Sequence, residues 1–127
     1  MKSGATVYHA RRVYDENAEI AMFEQSKPYI TRNNYLSIMP ATSRGFMEVM
    51  KYGEDLDNTW VAIANFMAFD GVFKEGDVMW VDGAKPIEEI EMKYGNGSSA
   101  NAIIRLVSNV GKTISITLTR NKEQVLR

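Results

Sequence analysis

The chain has 127 residues, 45% of them hydrophobic and 24% charged, which is typical of one globular domain and excludes wholesale disorder. Its 15 basic and 16 acidic residues leave a net charge of −1, so it lacks the basic field of a dedicated nucleic-acid binder. It has no cysteine for a disulfide or a thiolate, and neither a signal peptide nor an apolar run of the ~18 residues that a membrane helix needs. We therefore expect a single domain over residues 1–127, made in the cytoplasm and not inserted in a membrane.

The N-terminal third is rich in residues that favour strands. Residues 6–13 predict a strand that ends at the polar turn residues 15–17, and the apolar run 20–23 fits either a strand or a short helix. Alternating side chains from Tyr29 to Met39 predict one strand that is covered on both faces in its C-terminal half. Pro40 closes this strand, because proline cannot donate to a central ladder.

The middle of the chain alternates between helical and strand patterns. Apolar residues at roughly helical spacing in residues 43–52 predict a short helix or, equally, a loop. Residues 59–66 alternate as a strand, and residues 77–81 predict a half-buried strand between two turn signals. Asp82 and Gly83 follow, and because both tolerate positive φ they predict a tight hairpin turn.

The C-terminal third contains the clearest hairpin pattern. Residues 87–92 fit a helical turn or an acidic edge strand, and residues 95–99 predict a flexible loop rather than a phosphate-binding one, since no P-loop lysine follows. Residues 101–110 and 113–120 predict a hairpin whose isoleucines and leucine face the core and whose threonines face water. Residues 121–127 predict a polar tail. The fold class is therefore mainly β, a small antiparallel β-barrel or sandwich with long loops and room for one short helix.

Few residues point to catalysis. His9 is the only histidine, and its place in a predicted strand favours a structural or surface role over a catalytic triad. The aspartates at 55, 57, 70, 77 and 82 could serve as metal ligands or as an acid/base pair, but we interpret them as turn residues. Residues 55–58 have some likeness to a calcium loop but lack its glycine and distal glutamate. We expect no catalytic, cofactor or metal site and no enzymatic activity. The competing hypothesis, a ligand-binding barrel or an enzyme, requires a pocket where His9, Asp77 and Asp82 converge.

The chain contains eight methionines, a large number for its length. Most lie among apolar residues and are interpreted as core, because methionine fills irregular gaps. Phe46, Met47, Met50 and Phe69 lie in the least regular segments, and if they are exposed we interpret them as subunit contacts.

Several motifs occur in a fixed order over residues 40–120. They are Pro40-Ala41 with Gly45, Tyr52-Gly53-Glu54-Asp55-Leu56-Asp57, Asp77-Val78-Met79-Trp80-Val81, Pro86, and Ala100-Asn101-Ala102-Ile103-Ile104-Arg105-Leu106-Val107. In this order they resemble the head–tail connector proteins of long-tailed bacteriophages and of prophages of Gram-positive bacteria. At Ala102 the chain departs from the family pattern, which has an aromatic residue there.

The resemblance implies a structural protein of the virion neck, similar to head-completion (stopper) proteins that assemble as rings. Such a ring retains the packaged DNA, which passes through its channel without sequence-specific binding. Its expected partners are further copies of itself, the portal and adaptor proteins, and the tail terminator or tail tube. By this analogy, residues 40–58 are a projecting loop or short helix, with Tyr52, Asp55 and Asp57 near the channel or a subunit seam.

Other roles remain open at this point. A tail terminator or another virion structural protein, such as a baseplate or decoration protein, would share the β-rich profile. Adaptor proteins tend to be helical, so the β pattern argues against that role. The expected location is the virion neck, after assembly in the cytoplasm of a bacterial host.

Overall fold

A computed structural model of the chain describes residues 5–17, 19, 21–31, 35–41 and 56–126. Within these residues the chain forms strands and two short helices. The strands are β1 Thr6–Ala10, β2 Arg12–Val13, β3 Met22–Phe23, β4 Lys27–Ile30, β5 Leu36–Pro40, β6 Thr59–Asn65, β7 Val78–Trp80, β8 Ala102–Val110 and β9 Thr113–Arg120. The helices are α1 Phe66–Phe69 and α2 Glu88–Tyr94, and a 3-10 turn at Leu56–Asn58 precedes β6. Neither helix in this part of the chain is long and apolar enough to cross a membrane.

One antiparallel sheet of seven strands organises the described residues. Its strand order is β4-β1-β7-β8-β9-β6-β5, and β2 and β3 form a separate two-stranded ribbon. The two outermost strands, β4 and β5, lie at opposite edges and do not pair with each other, so the sheet is open. The predicted mainly β, antiparallel fold is confirmed. Of its two predicted forms, the open sheet fits a sandwich rather than a closed barrel.

The main core lies on one face of this sheet. The hairpin of β8 and β9, together with β6, supplies its centre, where Ile104, Ile116 and Leu118 are at most 1% exposed. A smaller cluster forms around Trp80 of β7, with Ala10, Val78 and Ala100. Since consecutive residues of β7 enter different clusters, this strand is buried on both faces, and the prediction of a half-buried strand was wrong.

The predicted strand from Tyr29 to Met39 is divided in the structure. Its first residues belong to β4, which pairs with β1, and its last belong to β5, which pairs with β6 at the other edge. Side-chain alternation reports the local backbone and carries no information on the pairing partner, so it did not reveal the division. Residues 32–34 lie outside the described part of the chain. Pro40 ends β5, as predicted.

The turn after β7 forms, but it does not close a hairpin. Asp82 and Gly83 have φ values of 57° and 81°, and the Ala84 N–H donates to the Val81 carbonyl at 3.1 Å. The chain then continues into α2, while β7 pairs with β1 and β8. The turn chemistry was therefore predicted correctly, and its role as a hairpin turn was wrong.

The C-terminal hairpin is confirmed, with one correction. Ile114, Ile116 and Leu118 are buried as predicted, but Thr117 and Thr119 are also buried, at 7% and 0% exposure. Arg105 contributes to this burial, because its Nε donates to the Thr119 hydroxyl at 2.8 Å from the neighbouring strand. A threonine can therefore mark a covered face when a long side chain lies over it.

Replacing Ile116 with alanine tests the position of the core. Because Ile116 is 0% exposed, we expect the substitution to lower the free energy of unfolding by about 2–5 kcal/mol. Ile30 on edge strand β4 is 49% exposed, so Ile30→Ala is a matched control with a much smaller expected loss. Urea unfolding followed by tryptophan fluorescence measures both. Equal losses for the two variants would contradict this core.

Candidate functional site

The most polar group in the core is a pair formed by His9 and Asp77. His9 lies on β1, opposite Met79 of β7, and Asp77 directly precedes β7. The His9 Nε2 and Asp77 Oδ2 atoms are 2.7 Å apart, and the two residues are 3% and 2% exposed. The sequence placed these residues 68 positions apart, so only the pairing of β1 with β7 brings them together.

The Asp77 carboxylate is fully occupied within the fold. Its Oδ1 accepts the backbone N–H of Arg12 at 3.0 Å, and its Oδ2 accepts the backbone N–H of Lys74 at 3.1 Å as well as contacting His9. One side chain therefore joins β1, the start of β2 and the turn before β7. A buried carboxylate is tolerated when donors surround it in this way. The geometry supports the structural interpretation of His9.

Aromatic rings enclose the other side of His9. The ring of Phe73 contacts the His9 ring edge-on at a centroid distance of 4.9 Å, and Phe69 stacks on Phe73 at 5.3 Å. Phe69 is 7% exposed and belongs to the core. Phe69 was interpreted as a subunit contact only if it is exposed, and this condition is not met. Phe69, the last residue of α1, contacts the Tyr29 ring of β4 at a centroid distance of 5.6 Å.

A small surface depression lies over this cluster. Its lining residues are His9, Arg11, Glu24, Gln25, Lys27 and Tyr29. Burial raises the pKa of the Tyr29 hydroxyl, and the nearby Arg11 guanidinium partly offsets that rise. Charges of both signs surround the depression, and His9 is almost covered, so no single ligand chemistry is favoured. The described residues contain no group of three or more side chains arranged to hold a metal ion.

Asp82 does not join this cluster. Asp77 precedes β7 and Asp82 follows it, five residues later, which separates them by about 16 Å along an extended strand. The Asp82 Oδ2 instead accepts the indole N–H of Trp60 at 2.7 Å, and the Arg120 guanidinium lies over the Trp60 ring. The pocket in which His9, Asp77 and Asp82 would converge is therefore absent from the described residues.

A second carboxylate, that of the half-buried Glu91, organises residues 95–99. The Glu91 side chain accepts the backbone N–H groups of Gly97 at 2.7 Å and Ser99 at 2.9 Å, and also the hydroxyls of Ser98 and Ser99. Gly97 and Ser99 are buried, so the prediction of a flexible loop was wrong. The amides that a phosphate would need are already bonded to Glu91, which also argues against the phosphate-binding alternative.

The C-terminal residues pack against this same segment. The Val125 N–H donates to the Ser98 carbonyl at 2.8 Å, and the Gln124 side chain donates to the Ser99 carbonyl at 3.0 Å. The Asn121 side chain donates to the Ala100 carbonyl at 2.9 Å. The predicted polar tail is thus bonded to the domain through Val125, because its polar groups satisfy backbone carbonyls that no strand pairs with.

The predicted interface residues divide into two groups. Phe46, Met47, Met50, Tyr52 and Asp55 lie outside the residues that the structure describes. Asp57 is exposed on the 3-10 turn before β6. Among the residues that organise the domain, the sequence did not reveal Glu91. The only available signal was the acid-rich segment 88–91, which precedes the glycine- and serine-rich residues 95–99 by three residues.

Replacing Asp77 with asparagine tests the buried pair. Asparagine has one acceptor oxygen, whereas His9 and the backbone N–H groups of Arg12 and Lys74 all bind the carboxylate of Asp77. We therefore expect the free energy of unfolding to fall by roughly 3–5 kcal/mol. Asp82→Asn is the control, since Asp82 accepts one indole N–H that an amide oxygen still satisfies. Urea titration of both variants, with circular dichroism to verify folding, gives the comparison. An Asp77→Asn variant as stable as Asp82→Asn would contradict the assigned role.

Two glycine substitutions test the packing of residues 95–99. Gly95 and Gly97 both have positive φ, 102° and 89°, so alanine costs each about 1–3 kcal/mol of backbone strain. A Cβ on Gly97 would lie 2.7 Å from the Phe23 ring, whereas one on Gly95 meets open space. We expect Gly97→Ala to lower the unfolding free energy by roughly 1–3 kcal/mol more than Gly95→Ala. Thermal unfolding of the two proteins, side by side, measures the difference.

Comparisons with known proteins complete the description of the candidate site. No protein-family model, curated protein or solved structure matches the chain.

Proposed function

We propose that this chain is a structural subunit of the bacteriophage neck, and specifically of the head-completion (stopper) ring. The observation that carries the proposal is the ordered set of motifs and their place in the fold. The segment Asp77–Val81 contains β7, which lies between β1 and β8, and residues 100–107 lead into and form most of β8. Two of the motifs that resemble those of head–tail connectors are thus segments of the central strands β7 and β8.

The edges of the sheet favour subunit contacts through loops and side chains. The Thr31 N–H donates to the Ala5 carbonyl, so these two residues are a hydrogen-bonded pair at the end of the ladder between β4 and β1. Hydrogen-bonded and non-hydrogen-bonded pairs alternate along an antiparallel ladder, so the nitrogen of Pro28 points away from β1. The bond from the Asn65 N–H to the Tyr35 carbonyl likewise turns the nitrogen of Pro40 away from β6. Proline lacks the N–H that an added strand would bind, so both edges disfavour sheet extension.

The connection between β5 and β6 is the segment that the proposal assigns to the ring seam. It spans residues 41–58, whose last residues form the 3-10 turn with the exposed Asp57. A ring requires one face of each subunit to complement a different face of the next. A long connection that leaves an edge strand can reach such a neighbour without adding a strand. Acidic groups in this segment would also limit binding of passing DNA, because phosphates repel carboxylates.

The alternative of an enzyme or a ligand-binding barrel has weaker support. Its required residues are separated, with His9 and Asp77 bonded to each other in the core and Asp82 bonded to Trp60. A general base must reach the proton of a bound substrate, and His9 is 3% exposed. A tail terminator remains the nearest alternative, and the experiment below separates it from the stopper.

Electron microscopy of the purified protein, alone and mixed with the portal–adaptor complex of its phage, tests the proposal. We expect rings, or additional density beneath the portal. We also expect particles made without the protein to have normal capsids but to lose DNA or fail to join tails. Copurification with tail tubes made without heads would instead indicate the terminator. A protein that stays monomeric and binds neither the portal complex nor the tail tubes would contradict a neck role.

A pair of charge reversals locates the contact. Asp57→Lys places a cation at the proposed seam, and we expect it to abolish rings or portal-bound density while the protein remains folded. Asp70→Lys is the matched control, because Asp70 is also exposed but follows α1, away from the connection between β5 and β6. Circular dichroism verifies folding of both. If Asp57→Lys assembles as well as Asp70→Lys, Asp57 is not at the seam.

A further inference from the structure

The segment that Glu91 binds contains the only asparagine in the chain that is followed by glycine. Asn96 is exposed, and Gly97 is buried with a φ of 89°. Asparagine is among the chemically labile residues, and glycine after it leaves the backbone nitrogen unhindered because it has no Cβ. Asn96 is therefore the position where the chain is most susceptible to spontaneous deamidation.

The reaction has a defined nucleophile and leaving group. The backbone nitrogen of Gly97 attacks the side-chain amide carbon of Asn96, a new C–N bond closes a five-membered succinimide, and the side-chain nitrogen leaves as ammonia. The proton of the Gly97 amide is lost in this step and is carried away on the leaving nitrogen. Water then opens the ring at either carbonyl, which yields aspartate or isoaspartate at position 96.

The nucleophilic nitrogen is the one that Glu91 holds. The Gly97 N–H donates to the Glu91 Oε1 at 2.7 Å, a short hydrogen bond to a charged acceptor. The reaction requires the loss of this proton and rotation of the backbone at positions 96 and 97. Contact of Gly97 with the Phe23 ring opposes that rotation, since there is no room for even a Cβ.

We propose that Asn96 is the deamidation site of this protein and that the Glu91 carboxylate controls its rate. While the hydrogen bond from the Gly97 N–H to Glu91 is intact, the Gly97 nitrogen cannot attack the Asn96 side chain, and Asn96 does not deamidate. Local opening of the Glu91 contacts releases the nitrogen and permits ring closure. This inference does not depend on the neck function, since it uses only contacts within the subunit.

The product would change the contacts around the segment. The succinimide has no N–H at position 97, so Glu91 loses one of its donors, and aspartate or isoaspartate adds a negative charge close to Glu91. Isoaspartate also lengthens the backbone by one carbon, where Gly97 packs on Phe23 of β3. Deamidation would therefore loosen the packing of residues 95–97 against the β2–β3 ribbon.

Peptide mapping by mass spectrometry, after incubation at mildly alkaline pH, tests the inference. We expect deamidation of Asn96 to be slow in the folded protein and roughly tenfold faster in Glu91→Ala. A factor of about ten corresponds to the loss of one hydrogen bond to a charged group. Glu88→Ala is the matched control, because Glu88 is an exposed glutamate on the same helix. Asn96→Ser abolishes the signal and confirms its position.

Two further measurements keep the test decisive if Glu91→Ala does not fold. In Glu91→Gln the single amide oxygen cannot serve every donor, so we expect a rate above that of the unmodified protein. The unmodified chain in urea, where the Glu91 contact is lost, should also deamidate faster than the folded chain. Equal rates in the folded and urea-unfolded chains, or in the Glu88 and Glu91 variants, would overturn the inference.

Discussion

The Asp77 carboxylate is the constraint on which the arrangement of the N-terminal strands depends. It accepts hydrogen bonds from His9 on β1, from the backbone of Arg12 at the start of β2 and from Lys74 before β7. A buried carboxylate is costly unless donors surround it, so these three segments must be in place together for the core to close. The same bonds hold His9 and Asp77 to each other inside the core, where they are 3% and 2% exposed.

Side-chain carboxylates, whether half-buried or exposed, replace strand pairing where the chain leaves the sheet. Glu91 binds the amides of Gly97 and Ser99 in a segment without a ladder, and Asp82 binds the Trp60 indole beside a turn. Each satisfies polar groups that would otherwise be buried without partners. Of the aspartates considered as candidate ligands, Asp77 and Asp82 thus bind groups of the fold itself. The proposed contacts with other proteins are made by loops and side chains at the sheet edges and by the connection between β5 and β6.

Local patterns predicted the strands that have one clear periodicity. Ile114, Ile116 and Leu118 alternate along β9 and are all buried, as expected from the period of two residues. Prediction failed where burial depended on a neighbour distant in sequence. Thr119 is covered by Arg105 from the adjacent strand, and Phe69 is buried by aromatic rings from Tyr29 and Phe73. The candidate site was least predictable, because the pair of His9 and Asp77 joins positions that no local pattern relates.

The amino-acid sequence by itself determined the β-rich class, the C-terminal hairpin and the turn at Asp82 and Gly83, because these follow from side-chain alternation and allowed backbone angles within a few residues. Only the tertiary structure decided that the sheet is open, that the run from Tyr29 to Met39 divides between its two edges, and that residues 95–99 are held by Glu91. The physical reason is that strand partners and buried hydrogen bonds are chosen by global packing. A short stretch of sequence specifies which groups need a partner, and the complete fold selects the partner.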